Sequence, residues 1–492
     1  MRINLKDKSW STLVILSTIG LTVMYIETMV APALPDFINE FDISYNTAPW
    51  ILTSYLVVAV VMTPIMGSLS DIYGRKRILL AGLVIYAAGT FAAGFATNIY
   101  FMLIARAVQG VGIGIFPVAV AIVRNQSTEK RLAFNQGIIT SMFATGAVIG
   151  LAAGGTIIHY LGWRATFFTI LPLVIILTVL VWRFIYDGVD DNGKNPHKHD
   201  RKFTVDNRGS QIKFKVDIKG AIMFSIGITS ILLIITNVDD KMSFTDWYIV
   251  GTLSIIGIVS LYTFYHIENR VQFPLMDFKL VLSDVLLSAN ILRMMAGLFM
   301  FAILNTMPIL IRNPKPSGFG ESAINTALII VPFMVAYLIV GLSSGLILSK
   351  LGNIRVILVG SVISTVGFAT LVLFFQSLVP LLAGLAVLGI GSQMLHQGAI
   401  NINLVSTPKH QTGISFGISN VFYLMGSAIG PTIVGMYMHA NQLSINGMHG
   451  PYPSSQAYVM IFSTGIALSL LTIIFDIFIL NKKKNSMGHY HG

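Results

Sequence analysis

Fourteen blocks of predominantly apolar residues follow one another along this chain. About twenty such residues in a row are enough to cross the hydrocarbon core of a bilayer as a helix. The blocks run roughly over 10–34, 47–69, 78–97, 100–123, 136–160 and 165–186, then 218–238 and 247–265, then 285–311, 322–348, 354–376, 378–401, 413–438 and 458–480. Only 11% of the 492 residues are charged, against about 25% in soluble proteins, too few to cover a soluble surface of that size. The sequence therefore predicts an all-α integral membrane protein of fourteen spans. The block that starts at Trp10 is too long for the apolar core of a signal peptide, and no small-residue cleavage site follows it. It is read as an uncleaved first span.

Lys and Arg in the loops orient such a protein. Fourteen spans put both ends of the chain on one side. If that side is the cytoplasm, it holds 26 of the Lys and Arg residues and the opposite side holds 4, with Arg106 and Arg293 inside spans. This asymmetry places both termini in the cytoplasm. It also ties the formal net charge of +11 to a membrane face, which removes a nucleic-acid partner. The stretch from Asp187 to Asp217 is rich in Lys, Asp, Asn and Gly with little periodicity, and predicts a flexible cytoplasmic linker. There are no cysteines, so disulfides and thiol chemistry are excluded.

A faint repeat divides the chain. Gly67, Gly74 and Arg77 at the end of span two return 278 residues later as Gly345, Gly352 and Arg355, with Ser349 in place of Asp71. Gly146-Ala-Val-Ile-Gly150 in span five returns as Gly426-Ser-Ala-Ile-Gly430 in span thirteen. Spans one to six then pair with nine to fourteen, and spans seven and eight are inserted. The expected division is a six-helix bundle over 1–188, a linker over 189–217, two additional helices over 218–270, and a second six-helix bundle with a tail over 271–492.

Three motifs lie in the first half. Gly67-x-Leu-x-Asp71-x-x-Gly74-Arg75-Lys76-Arg77 forms a tight turn between spans two and three. Gly74 permits a sharp backbone, Asp71 can pair with an arginine or cap a helix, and the three cations hold the loop at the cytoplasmic face. Span four carries Arg106-x-x-Gln109-Gly110-x-Gly112. Span five carries Gly146, Gly150, Gly154 and Gly155, a small-residue face suited to close helix packing. The first span ends Ala31-Pro32-Ala33-Leu34-Pro35.

Together these motifs resemble the major facilitator superfamily, and within it the fourteen-span drug:proton antiporters of multidrug efflux type. Pro274-Leu-Met-Asp-Phe278 is also similar to that family. The resemblance implies two six-helix bundles that rock about a central cavity, with the Gly67–Arg77 motif in the inward-side gate. The chain departs from the pattern at Leu151, where the family usually has proline. It departs again at Glu27, where the usual residue is aspartate at a spacing one residue longer.

Glu27 lies mid-span, 8 residues before Pro35, or about 12 Å from that end at 1.5 Å per residue. An ionisable residue at such depth is a candidate for function, and a buried carboxyl can change protonation at useful pH. Arg106 lies at similar depth. The expectation is that both face one cavity and that proton and substrate compete for Glu27; the competing reading is a structural pair. Gln393 and His396 in span twelve and Asn305 in span nine are candidates for lining the cavity, although hydrogen bonds between helices explain them equally well. Arg293 is expected to snorkel to the interface, and Asp476 to reach it.

Several classes are excluded or disfavoured. There is no nucleophile elbow, no His-Glu-x-x-His run and no pair of carboxylates within a span, so an enzyme is not expected. No Walker loop supports a nucleotide-driven pump, and no signalling domain supports a sensor. His489 and His491 are a poor metal site, and no metal or cofactor is expected. The expectation is a plasma-membrane, monomeric carrier that uses the proton gradient to export lipophilic, often cationic small molecules. The alternative is a carrier of the same fold for a specific metabolite, peptide or lipid, by antiport or symport.

Overall fold

The computed structural model describes residues 5–126, 129–185, 203–205, 211–213, 217–237, 244–271, 274, 278, 282–407, 412–444 and 451–488. Fourteen helical stretches among them are long and apolar enough to cross a membrane. The first comprises α1 (Leu5–Met29), a short 3-10 turn (Ala31–Ala33) and α2 (Leu34–Phe41). It therefore continues to Phe41, past the expected end at 34. Pro32 and Pro35 both fall in a first turn, where the missing N–H costs nothing. They bend the span without ending it.

The next elements are α3 (Trp50–Tyr73), α4 (Arg75–Gly94), α5 (Ile99–Ile113), α6 (Phe116–Gln126), α7 (Glu129–Leu161) and α8 (Trp163–Phe184). Span four is thus two helices, α5 and α6, broken at Gly114 and Ile115. Within the stretch expected to be a flexible linker, the described residues form two short antiparallel strands, β1 (Phe203–Val205) and β2 (Gln211–Lys213). Then come α9 (Ile218–Asn237), α10 (Phe244–Glu268), α11 (Asp284–Arg312), α12 (Ala323–Leu351), α13 (Asn353–Phe374), α14 (Leu378–Ser406) and α15 (Thr412–Ala440). A hairpin of β3 (Gln442–Ser444) and β4 (Pro451–Pro453) leads to α16 (Ser455–Gly488).

The two halves repeat one packing scheme. Glycines on α7 let its backbone lie against α1. A Cβ on Gly146, Gly150 or Gly154 would fall 2.2–2.3 Å from the carbonyl oxygens of Leu21, Tyr25 and Met29 in turn. On α15, Gly426 and Gly430 meet the Met294 and Leu298 carbonyls of α11 in the same way. Gly110 abuts the Tyr55 carbonyl, and Gly389 abuts that of Phe333. Gly74 and Gly352, 278 residues apart, both turn at positive φ, 100° and 77°, where a side chain is strained.

The halves touch along two seams, α3 on α15 and α7 on α12. At the second, a Cβ on Gly155 would lie 2.5 Å from that of Ala327. α9 rests on α3 and α15, and α10 packs on α9, so the two additional spans cover the first seam from outside.

Candidate functional site

A narrow cavity of about 50 Å³ lies between the halves. Its walls come from α1, α6 and α7 on one side and α11, α12, α14 and α15 on the other. Met24, Phe116, Phe143, Met300 and Phe416 form an apolar lining, and Arg293, Gln393, His396, Asn420 and Tyr423 a polar one. The residues lie from mid-span toward the face that carries both chain termini. At the opposite face the two halves are bridged directly. There Arg312 pairs with Asp36, Asn313 donates to the Tyr45 hydroxyl at 3.4 Å, and Gly435 seats against Pro49.

Glu27 is buried, at 4% exposure. Thr28 beside it donates to the Ala147 carbonyl of α7 at 3.0 Å, which fixes this turn of α1. Glu27 is within electrostatic reach of Arg106, Tyr55, Tyr86 and Tyr423. No direct ion pair joins it to Arg106. That guanidinium donates Nε to the Ile51 carbonyl at 2.9 Å and Nη1 to Gln109 Oε1 at 2.9 Å. It stacks over the Tyr55 ring at 4.0 Å. Gln109 Nε2 in turn donates to Thr90 Oγ1 at 2.8 Å. The expectation that Glu27 and Arg106 face the cavity together is not met here. Met24 lines it, but Glu27 lies one helical turn deeper, and Arg106 is turned into its own half.

Gln393 and His396 line the cavity, whereas Asn305 does not. Asn305 is 12 residues beyond Arg293 on α11, about 18 Å along the helix, and is fully buried. Two readings of charged residues are corrected. Arg293 does not snorkel; it is 2% exposed and forms part of the cavity wall. Asp476 does not reach the interface; it is fully buried and accepts a hydrogen bond from Ser361 Oγ at 2.8 Å. Position relative to a span end does not reveal burial against neighbouring helices, which decides both.

In the gate motif, the sharp backbone at Gly74 is present, and Lys76 Nζ donates to the Trp182 carbonyl of α8 at 2.6 Å. Arg75 is half-buried and Arg77 exposed. Gly67 has open space where a Cβ would stand. The Asp71 side chain, most of the Pro274–Phe278 segment, and His489 and His491 lie outside the described residues.

Residues 16–272, more than half of the chain, match the Major Facilitator Superfamily. The chain belongs to this superfamily. Among its curated relatives, the multidrug transporter protein MdtP of Bacillus subtilis is 26% identical over 418 residues, 84% of this chain and 72% of MdtP. The multidrug efflux pump LfrA of Mycolicibacterium smegmatis is 26% identical over 438 residues, 87% of this chain and 80% of LfrA. The crystal structure of the human organic anion transporter MFSD10 (TETRAN) superposes with a TM-score of 0.59 at 12% identity, covering 96% of this chain and 98% of that one. That last likeness concerns the fold alone. As a major facilitator, this is a multi-pass membrane transporter of small molecules and not an enzyme. The cavity between the halves is the candidate site. Two residues of that site, Arg293 and Tyr423, were not singled out as cavity residues from sequence. The depth of Arg293 within its span was the one signal available.

Proposed function

We propose that this major facilitator exports lipophilic small molecules in exchange for protons. Residues 1–188 and 271–492 would act as the two rocking bodies, joined by the 189–217 linker and flanked by the helices of 218–270. Both termini would be cytoplasmic, in the plasma membrane of a monomeric carrier. The observation that carries the reading is Glu27: a carboxyl buried mid-span, one turn beyond the cavity between the halves, on a helix locked to α7. Ionisable residues so placed mark ion pathways. The multidrug relatives MdtP and LfrA support the class of cargo.

Because Glu27 lies behind the cavity wall, proton and cargo do not share one carboxylate in this conformation. The coupling then acts through the two rocking states. Proton occupancy at Glu27 biases which face is open, and cargo follows. Arg106, held by Ile51 and Gln109, keeps its charge beside Glu27 and so sets the field in which the proton exchanges. The gate at Gly67, Asp71, Gly74, Arg75, Lys76 and Arg77 would close the terminus-bearing face in the other state.

The test uses proteoliposomes with an imposed pH gradient and a panel of lipophilic dyes, comparing wild type with Glu27→Gln. Gradient-driven dye movement should disappear in the variant, while insertion and melting stay unchanged. Full gradient-driven movement in Glu27→Gln would remove Glu27 from the coupling. A second reading, a carrier for one specific metabolite, is favoured by the polar end of the cavity at Arg293, Gln393 and His396.

A further inference from the structure

Among the described residues that line the cavity, none is an acid that would attract a cation. Among the described residues that line it, Arg293 carries the only formal charge. Its Nη2 donates to Asn420 Oδ1 at 3.2 Å, while Nε and Nη1 have no hydrogen-bond partner. Phe416 and Tyr423 face the guanidinium at 5.1 and 5.7 Å from their ring centroids. They stabilise the cation without satisfying its donors. Unpaired charged donors at 2% exposure are costly. An oxyanion entering the cavity would pair them.

The internal repeat shows that packing does not require this charge. α7 meets α1 at Leu21 and Tyr25 as α15 meets α11 at Met294 and Leu298. In that register Arg293 corresponds to Gly20, over which the Phe143 ring lies, and Glu27 corresponds to Met300. The acid of the first half thus stands outside the cavity with Arg106 in reach. The arginine of the second half stands in the wall without a counter-charge.

We propose that the cargo is an amphiphilic organic anion. Its acidic group accepts from the unpartnered Nε and Nη1 of Arg293 and from His396 Nδ1, also without a partner, when that nitrogen carries the ring proton. Its apolar body lies among Met24, Phe116, Phe143 and Met300. His396 orients the ligand, and a permanent cation is repelled from the same end. This deepens the transporter reading above and rests on it. It replaces the cationic preference that a buried acid suggested from sequence.

The decisive measurement is titration calorimetry on the purified full chain without a pH gradient, using a pair of probes matched in shape. Naphthalene-2-sulfonate should bind more tightly than 2-naphthyltrimethylammonium by roughly tenfold or more, the scale of one charged hydrogen-bonded contact. Arg293→Gln should abolish that preference, and Arg293→Lys should keep part of it. Equal or tighter binding of the ammonium, binding of neither probe, or a preference that survives Arg293→Gln overturns the proposal. If Arg293→Gln fails to fold, the wild-type ranking and the lysine variant decide. The charge ranking is read without transport, so a failed dye-exchange assay would sink proton exchange and leave this inference standing.

Discussion

Arg312, the last residue of α11, donates both terminal nitrogens to the two carboxylate oxygens of Asp36 in α2, the Nη2 bond being 2.6 Å. Its Nη1 also reaches the Pro32 carbonyl at 3.0 Å. The bond joins the two halves of the repeat at the face opposite the termini, while the cavity residues lie from mid-span toward the other face. Alternating access requires this contact to break. The side chains are 20% and 27% exposed, so solvent screening limits the pair to about 1 kcal/mol.

Arg312→Gln should therefore shift the population toward the state open on that face by roughly fivefold. The absence of native cysteines gives a clean readout. Ala327→Cys, buried at the α7–α12 seam, should react several-fold faster with a membrane-impermeant maleimide in the Arg312→Gln background. The charge swap Asp36→Arg with Arg312→Asp should slow it again. Equal labelling in all three proteins would show that the pair does not hold the face shut.

Gly150 and Gly67 belong to motifs of similar appearance, but only one is tightly packed. A Cβ at Gly150 meets the Tyr25 carbonyl at 2.3 Å, whereas nothing lies within 4 Å of one at Gly67. Gly150→Val should force α1 and α7 apart and destabilise the protein by about 1–3 kcal/mol, the range for overpacking. Gly67→Ala should leave the melting temperature in detergent essentially unchanged. The reverse ranking would mean that the α1–α7 contact is looser than its geometry.

At the turn between α3 and α4, Gly74 adopts φ 100°, ψ 136°, and Gly352 repeats it at φ 77°, ψ 155°. Alanine at either position should cost about 1–2 kcal/mol in backbone strain. The expected result is two similar drops in thermal stability. A drop at Gly74 alone would assign that glycine a role beyond the turn.

The spans were legible because apolar block length is a local property, and lipid leaves the backbone few alternatives to helix. The repeat was legible where it rests on glycines, since Gly74 and Gly352 mark turns at positive φ, and Gly150 and Gly430 close approaches, that only glycine allows. Relations between distant segments were not. Nothing near Asp36 points to Arg312, 276 positions later. Hydropathy cannot say whether Arg293 turns outward to the interface or inward to a cavity, because both lie on one helix a few residues from its end. Pro32 and Pro35 looked like a stop signal, yet at the first turn of a new helix they are compatible with continuation.

The network around Arg106 is the first half's own departure from the repeat. Arg106, Gln109 and Thr90 occupy the places held by Leu385, Leu388 and Phe368 in the second half, as the matching close contacts of Gly89 with Gln109 and of Gly367 with Leu388 show. An all-apolar solution at this crossing is therefore compatible with the fold. Gln109→Leu alone should nevertheless destabilise the protein by about 1–3 kcal/mol, because it strips Arg106 Nη1 of its acceptor and leaves a buried charge short of a partner. Arg106→Leu with Gln109→Leu removes donor and acceptor together and approaches the second half's arrangement. Its melting temperature should lie well above the sum of the two single losses, a coupling that a double-mutant cycle measures directly. Strict additivity would show that Arg106 does not depend on Gln109. A stable double variant that no longer moves dye would separate the role of this arginine in transport from any role in folding.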